Sequence, residues 1–589
     1  MQTLELLSPA RNLEIGIAAI NCGADAVYIA GPQFGARKAA GNSFEDIEAL
    51  CRYAHRYGAR VFVTFNTIIQ DEELEDAHRQ MLQAQKAGAD ALIIRDPRIC
   101  FWRDITIPLH ASTQCAIRDA ARAAEYSRLG CARLILEREL SLKQIREIAR
   151  STDSEIEFFV HGALCVCYSG DCRLSEFIDG RSADKGECMQ ACRSLYDLKD
   201  EQGKTLVHNK ALLSLKDYNL SRRIEDLAEA GVCSFKIEGR LKNASYVQNV
   251  TRAYDMILND LVAKYPDRYR RASFGTVKAS FVPDVNKTFN RGYTELFLDG
   301  KKGRWSSMDA PKSMGEEIGV VRSIRRNKAD GTMEVRLKTK PGITLKNGDG
   351  LCFSTRDGVT GFRADVCRGD SVLSKDITSL KEKTTLYRNI SSEFEKTLNS
   401  SNCDRTLRIN IKLNTMRNSS DSDLYTLQAE SYSCDGRCIN KEWSIEAPKA
   451  NNCQRMISML HEQMSKRSSI YEFCVEEIGG DLENLPLLKS ASINAMRREI
   501  AEAFDSQECI RIPLTQGRRP ATETQIPSES RNYRFDELMR SKYCVRHELG
   551  LCPRQSSQGS NHPLYLENNG RRFKLSFDCA ACEMTLSSD

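Results

Sequence analysis

The chain has 589 residues, 41% of them apolar and 28% charged, and 85 Lys and Arg against 80 Asp and Glu leave a net charge of +5. That length exceeds one ordinary core and implies three or four domains, while the composition excludes a wholly disordered chain. No run approaches the eighteen or so apolar residues that cross a bilayer, and the first residues, Met-Gln-Thr-Leu-Glu-Leu-Leu, lack the basic and apolar segments of an export signal, so a cytoplasmic location without a membrane partner is expected.

Strands and helices alternate from the start. Leu4 to Leu7 reads as a strand, Asn12 to Cys22 as a helix stopped by Gly23, and Ala26 to Ile29 as a strand. Phe44 to Tyr57 has helical spacing closed by Gly58, Arg60 to Thr64 is β-branched, and Asp71 to Ala87 is amphipathic and ends at Gly88. Ala91 to Ile94 and Ile107 to His110 are strands, and Ala116 to Leu129 is a helix stopped by Gly130. Arg133 to Leu136 is a strand, and Ser141 caps a helix running to Arg150. Glu157 to Val160, a helix from Leu220 to Ala230, and Ser234 to Ile237 complete the set.

Eight short strands separated by helices with glycine stops predict a parallel sheet, and the number eight favours a closed TIM-like (β/α)8 barrel over residues 1–265. No glycine-rich phosphate loop follows the first strand, which weighs against an open doubly wound sheet. Barrel chemistry sits at the C-terminal ends of the strands. Those ends carry Ser8, Asn66, Asp96, His110, Ser112, Gln114, Glu137, Arg138, His161, Glu238 and Arg240, a polar mouth suited to a small anionic ligand. The candidate catalytic residues are His161, Glu238 and Arg240, and Lys236 and Arg240 are candidates for binding an anionic co-substrate.

The seventh loop carries the strongest signal. Within the insertion at 161–213 lie Cys165, Cys167, Cys172, Cys188 and Cys192, five cysteines in twenty-eight residues. A loop offers little burial, so packing does not account for them, and the absence of an export signal argues against disulfides. The spacing is looser than the paired hooks of a zinc ribbon, and four thiolates so placed suit an iron–sulfur cluster, 4Fe–4S in type. Cys165, Cys172, Cys188 and Cys192 are the candidate ligands, and Cys167 is spare.

Glu157-Phe-Phe-Val-His-Gly-Ala-Leu-Cys165-Val-Cys167-Tyr-Ser-Gly-Asp-Cys172-Arg-Leu-Ser175 resembles the signature of the peptidase U32 family. So do Gly186-Glu-Cys188-Met-Gln-Ala-Cys192-Arg193, Ser234-Phe-Lys-Ile-Glu-Gly-Arg240 and Phe289-Asn-Arg-Gly-Tyr-Thr294. The long C-terminal half resembles the subgroup with an added collagenase-type domain. Some members of the family take the fourth ligand from a cysteine after a Ser-x-Lys-Asp segment; here Ser214-Leu-Lys-Asp217 is followed by Tyr218-Asn219, so the resemblance makes Cys165, Cys172 and Cys188 the firm ligands and leaves Cys192, or else Cys233, as the fourth. The resemblance implies one of two activities. One is iron–sulfur-dependent hydroxylation of an RNA base, an rRNA cytidine first, linked to prephenate and independent of dioxygen. The other is the collagen-degrading peptidase activity that named the family. The sequence holds neither His-Glu-x-x-His nor Gly-x-Ser-x-Gly, which favours the hydroxylase. A non-enzymatic, metal-stabilised scaffold is the third possibility.

Beyond the barrel, residues 266–390 read as a small β-barrel domain, punctuated by Asp299-Gly300, Asp330-Gly331 and Asn347-Gly-Asp-Gly350. Arg291, Lys301, Lys302, Arg304, Trp305, Arg322, Arg325, Arg326 and Lys328 interleave basic and aromatic groups that suit RNA. Residues 400–510 read as an α/β domain of the collagenase type, with Cys434 and Cys438 as a close pair on a hairpin, and 511–535 as a linker. The tail, 536–589, carries Cys544, Cys552, Cys579 and Cys582, a second set suited to a zinc-stapled module, with His547 as an alternative ligand.

Overall fold

The computed structural model describes residues 1–35, 41–327, 330–356, 358–400, 403–419, 423–519, 536–555 and 562–589. Lys328 and residues 520–535 of the expected linker lie outside the described residues.

Eight parallel strands form the barrel within the first sheet: β1 (Gln2–Pro9), β2 (Ala26–Ala30), β3 (Arg60–Phe65), β4 (Ala91–Ile94), β5 (Leu109–Ala111), β6 (Arg133–Ile135), β7 (Glu155–Gly162) and β8 (Val232–Ile237). Glu5 pairs with Ser234 and Phe235 with Phe158, so β8 lies between β7 and β1 and the barrel closes. Helices follow seven of the strands, beginning with Leu13–Asn21, whose N-cap Asn12 accepts from the Ile15 amide, and ending with Ala244–Lys264. Ser141 caps Leu142–Arg150 as expected. The helix expected from Ala116 starts only at Ala120, because Ala116 is left-handed (φ 56°) and Asp119 caps the following turn. Between β4 and β5 the chain makes only a 3-10 turn, Pro97–Phe101. Gly23 has φ 99°, and a Cβ there would stand 2.2 Å from the Asp255 carboxylate, so only glycine lets the first helix stop against the last.

The side chains pointing into the barrel alternate with those facing the helices. Leu7, Tyr28, Phe62, Ile93, Ile135 and Phe159 form one inner cluster. Charged groups share that interior. Arg133, 2% exposed, donates to Glu5 at 2.5 Å, Glu155 at 2.7 Å and Glu157 at 3.3 Å. Lys236 meets Glu157 at 2.7 Å. Burial raises the Glu5 carboxyl and lowers the Lys236 ammonium, each opposed by its partner.

The end of the barrel opposite the catalytic face is strapped by residues 511–519. Leu514 packs against the inner cluster, Thr515 donates to Glu155 at 2.6 Å, and Arg519 donates to the Ile107 carbonyl at 2.8 Å.

Three further sheets complete the chain. A seven-stranded antiparallel sheet from Glu316–Arg326 to Thr385–Ile390 wraps its own core of Ile318, Val335, Leu351 and Phe353. The segment 266–308 threads other sheets: Tyr269–Arg271 pairs with β1, Thr276–Ala279 with Cys403–Arg417, and Ser306–Met308 with Thr205–Leu215. In the α/β unit, Cys403–Arg417 lies between Leu424–Ser433 and Tyr471–Gly480, with helices Cys453–Met464 and Ser490–Asp505 packed against the sheet. The last sheet joins distant segments. Thr205–Leu215 and Tyr196–Lys199 of the seventh-loop insertion pair onward to Leu564–Asn568, Arg571–Asp578, Glu583–Ser588 and Glu537–Ser541 of the tail. Among the described residues no helix is long and apolar enough to cross a membrane.

Candidate active site

The seventh loop leaves β7 at Gly162, where φ is 107° and a Cβ would press on the Glu238 carbonyl at 2.6 Å. The backbones of two strand ends therefore touch at this point. Past it the loop is held from outside. Strand Glu537–Ser541 of the tail runs beside it: the Tyr168 amide donates to the Arg540 carbonyl at 3.0 Å, the Arg173 amide to the Leu538 carbonyl at 2.7 Å, and Cys172 bridges Met539 between them. Arg193, 9% exposed, donates to the Leu164 carbonyl at 2.5 Å and to Ser214 at 2.9 Å.

This bracing gathers the thiols. Cys167 is buried, and the neighbouring Cys165 and Cys172 thiols push its own well up. Burial pushes Cys192 up to about 12, and the Cys165, Cys172 and Cys188 thiols add to that. The Cys188 sulfur accepts from the Gln190 amide at 3.4 Å, the type of contact that favours a thiolate. Cys233 lies elsewhere. Its thiol donates to the Ile156 carbonyl at 3.3 Å, and its charged neighbours are Glu155, Arg133 and Glu5 in the lower half of the barrel. The structure thus brings Cys192, not Cys233, to Cys165, Cys172 and Cys188.

Among the described residues no three His, Cys, Asp or Glu side chains are drawn up around a single metal ion. A cluster of several irons is wider than one ion, so its ligands stand further apart than the thiolates at a zinc. The donor set fits such a group: Cys165, Cys188 and Cys192, the first two exposed, line a cavity of about 550 Å³, and the Cys172 thiol acts on Cys192 from beside it. Arg138, Arg181, Arg193 and Arg291 line that cavity against Glu187 and Glu238, an electropositive surround for an anionic thiolate cluster.

A second cavity, about 90 Å³, occupies the barrel mouth and is lined by Thr64, Asn66, Ser112, Gln114, Lys236 and Arg240. Arg138, Cys165 and Glu238 line both cavities. Arg138 lies 3.8 Å over the Phe159 ring and donates to Glu238 at 3.2 Å. Arg240 donates to Thr64 at 2.9 Å, and Asn66 to Ser112 at 3.2 Å. The Gln114 Oε1 is buried without a partner.

His161 is placed differently. It is 1% exposed, its ring lies 5.6 Å from those of Tyr254 and Tyr293 and 6.2 Å from that of Tyr246, and it lines neither cavity. Burial lowers its pKa from 6.5 to about 3. An imidazole kept neutral in this way makes the fold acid-sensitive. Its contribution is whole above about pH 6.5 and is lost as pH falls toward 3, at about 1.4 kcal/mol per unit. Between pH 7 and pH 5 the His161 share amounts to about 2 kcal/mol. Urea unfolding at the two pH values should show this loss in the wild type, and His161→Asn should remove that part of it.

Two residues of this region were not singled out from sequence as site residues. Arg138 was only one of eleven mouth residues. Glu139 belongs to no motif; burial pushes its carboxyl up to about 7 and its Oε2 has no partner. The one available signal was the run Glu137-Arg138-Glu139 directly after a strand. Of the candidate RNA contacts, Trp305 is 3% exposed and packs on Phe297, and Arg291 pairs with Asp217 at 3.0 Å. Lys301, Arg304, Arg322, Arg325 and Arg326 are exposed. Cys434 and Cys438 are exposed at a hairpin turn.

The family described as Peptidase family U32 matches residues 11–307. The 23S rRNA 5-hydroxycytidine C2501 synthase of Escherichia coli is 36% identical over 99% of this chain and 93% of its own length. The tRNA hydroxylation protein P1 of Bacillus subtilis is 31% identical over 57% of this chain and 82% of its own. A protein named collagenase from Porphyromonas gingivalis is 31% identical over 57% and 83%.

Proposed function

Because the chain belongs to peptidase family U32, we propose that it is a cytoplasmic enzyme that hydroxylates a base of RNA, an rRNA cytidine first, using an iron–sulfur cluster on Cys165, Cys172, Cys188 and Cys192. The observation that carries this reading is a cavity lined by Cys165, Cys188 and Cys192, with the Cys172 thiol acting on Cys192 from beside it, that shares Arg138, Cys165 and Glu238 with the barrel mouth. The relatives named for rRNA and tRNA hydroxylation support the reaction class.

The cluster, when bound, supplies electron transfer or activation of a ligand at iron. The rest falls to the side chains. A volume of about 90 Å³ is too small for a base, while about 550 Å³ is an ordinary ligand cavity. The base therefore enters on the cysteine side, after being unstacked from folded RNA. A small anionic co-substrate, prephenate on the family resemblance, is larger than a base and would also lie in the wider cavity, one carboxylate against Arg138, which lines both cavities, and the other directed at Arg240 in the mouth, where Lys236 is already paired to Glu157. Asn66, Ser112 and Gln114 would read polar atoms at the mouth. The exposed arginines of Glu316–Arg326 would meet the phosphate backbone.

The peptidase reading has the collagenase-named relative behind it. Acyl transfer needs a nucleophile with a base in hydrogen-bond reach, and no histidine lines either cavity. Mass analysis of rRNA and tRNA nucleosides from cells lacking this chain tests the proposal. One base, an rRNA cytidine, is expected to be lighter by one oxygen. An unchanged profile, together with gelatin cleavage that survives Cys172→Ala, would favour the peptidase.

A further inference from the structure

Four cysteines of the tail remain outside this site. Cys544 is the N-cap of the short helix Val545–Glu548, and Cys552 follows that helix. Cys579 and Cys582 lie in the turn joining Arg571–Asp578 to Glu583–Ser588. That turn is tight: Asp578 accepts from the amides of Ala580 and Ala581 at 2.9 Å each, and Cys582 is left-handed with φ 61°.

Arg546 joins the two loops. Its guanidinium lies 3.8 Å over the ring of Phe577, on the hairpin that bears Cys579 and Cys582. The residue is 3% exposed, and its Nη1 is sealed from solvent without a hydrogen-bond partner. The charged or ionisable groups acting on it are the thiols of Cys544, Cys579 and Cys552. Arginine does not shed its proton in proteins, and a buried cation without a counter-charge is costly. Neutral thiols supply no such charge. Thiolates do, and a metal ion deprotonates a coordinating thiol outright.

We infer that Cys544, Cys552, Cys579 and Cys582 bind one Zn2+, with Arg546 as the buried counter-ion of the site. Four thiols release four protons to solvent as their thiolates bind one Zn2+, and the resulting tetrathiolate site carries two negative charges beside the guanidinium. The sulfurs come from two separate loops and are not already gathered around an ion, so the loops close as the metal binds, which couples binding to folding. The module so stapled contributes Glu537–Ser541, the strand that hydrogen-bonds on both sides of Cys172. The zinc would thereby brace the loop of the proposed cluster, and this last step rests on the proposed function.

Elemental analysis of the full chain, with alkylation mapped by mass spectrometry, tests the site. The expected result is about one zinc per chain, and joint alkylation of the four tail cysteines only after a chelator is added. Cys579→Ser with Cys582→Ser should lose the zinc, whereas Cys172→Ser should keep it. Arg546→Met should keep the module folded but bind Zn2+ about 10- to 100-fold more weakly in chelator competition. The proposal is overturned if reduced protein given Zn2+ retains none, if zinc survives the double substitution, if iron instead tracks these four residues, or if Arg546→Met binds as tightly as the wild type. Iron counted in the same samples reports separately on the seventh loop, so a missing cluster leaves the zinc result standing.

Discussion

Cys172→Ser is expected to strip the iron from the protein, leave the target base unmodified, and leave the barrel folded. Cys172 is only partly buried, and the backbone around it is held by the tail strand through Tyr168 and Arg173 rather than by its own side chain. One sulfur changed to oxygen there removes little packing, so thermal stability should move by less than about 1 kcal/mol. A cluster deprived of one of its thiolates loses a bond that no neighbouring group replaces. Cys167→Ser is the matched control. Cys167 is 5% exposed and further inside, and is expected to lose some stability while iron and RNA modification persist. Cys192→Ser should behave like Cys172→Ser, and Cys233→Ser like the wild type, because only Cys192 lies with the other three thiols. Iron content of the four variants, read beside their unfolding temperatures, checks the set.

Arg133→Met is expected to produce the largest loss of stability in the barrel. Its guanidinium bridges Glu5, Glu155 and Glu157, and Glu157 is fully buried. Exchanging such an ion cluster for apolar groups throughout can be harmless. Removing only the cation strands the carboxylates in the interior, at about 3–5 kcal/mol. For a unit of this size that lowers the unfolding temperature by about 10 °C. Adding Glu5→Gln to Arg133→Met should recover part of the loss, because it removes one stranded charge. An unchanged unfolding temperature for Arg133→Met would mean that the carboxylates find other partners or take up protons without penalty.

Much of the barrel was readable in the chain because its signals are local. A helix that stops at Gly23 announces itself through a backbone angle only glycine tolerates, and Ser141 through the amide it caps. The cysteine loop was readable for the opposite reason: thiols crowded where burial is scarce have no packing explanation. What escaped depends on partners far apart in sequence. Nothing near residue 537 shows that it will pair beside Cys172, and no spacing rule separates Cys192 from Cys233, since the choice turns on which end of the barrel each one occupies. His161 stands within the signature yet faces three tyrosines from 246, 254 and 293. Glu5, Arg133, Glu157 and Lys236 lie on four separate strands, and their mutual neutralisation emerges only when β1, β6, β7 and β8 meet inside the barrel. Residues 511–519, polar and proline-bearing in the chain, strap the bottom of the barrel because Leu514 and Thr515 find partners there.

The cluster at the seventh loop is read most plainly by iron and acid-labile sulfide analysis of protein purified without air, with its visible spectrum. Iron and sulfide are expected in equal amounts, with a broad visible absorption that fades on reduction, and all three should be lost in Cys172→Ser. Colourless protein in which zinc alone occupies Cys165, Cys172, Cys188 and Cys192 would contradict the cluster assignment.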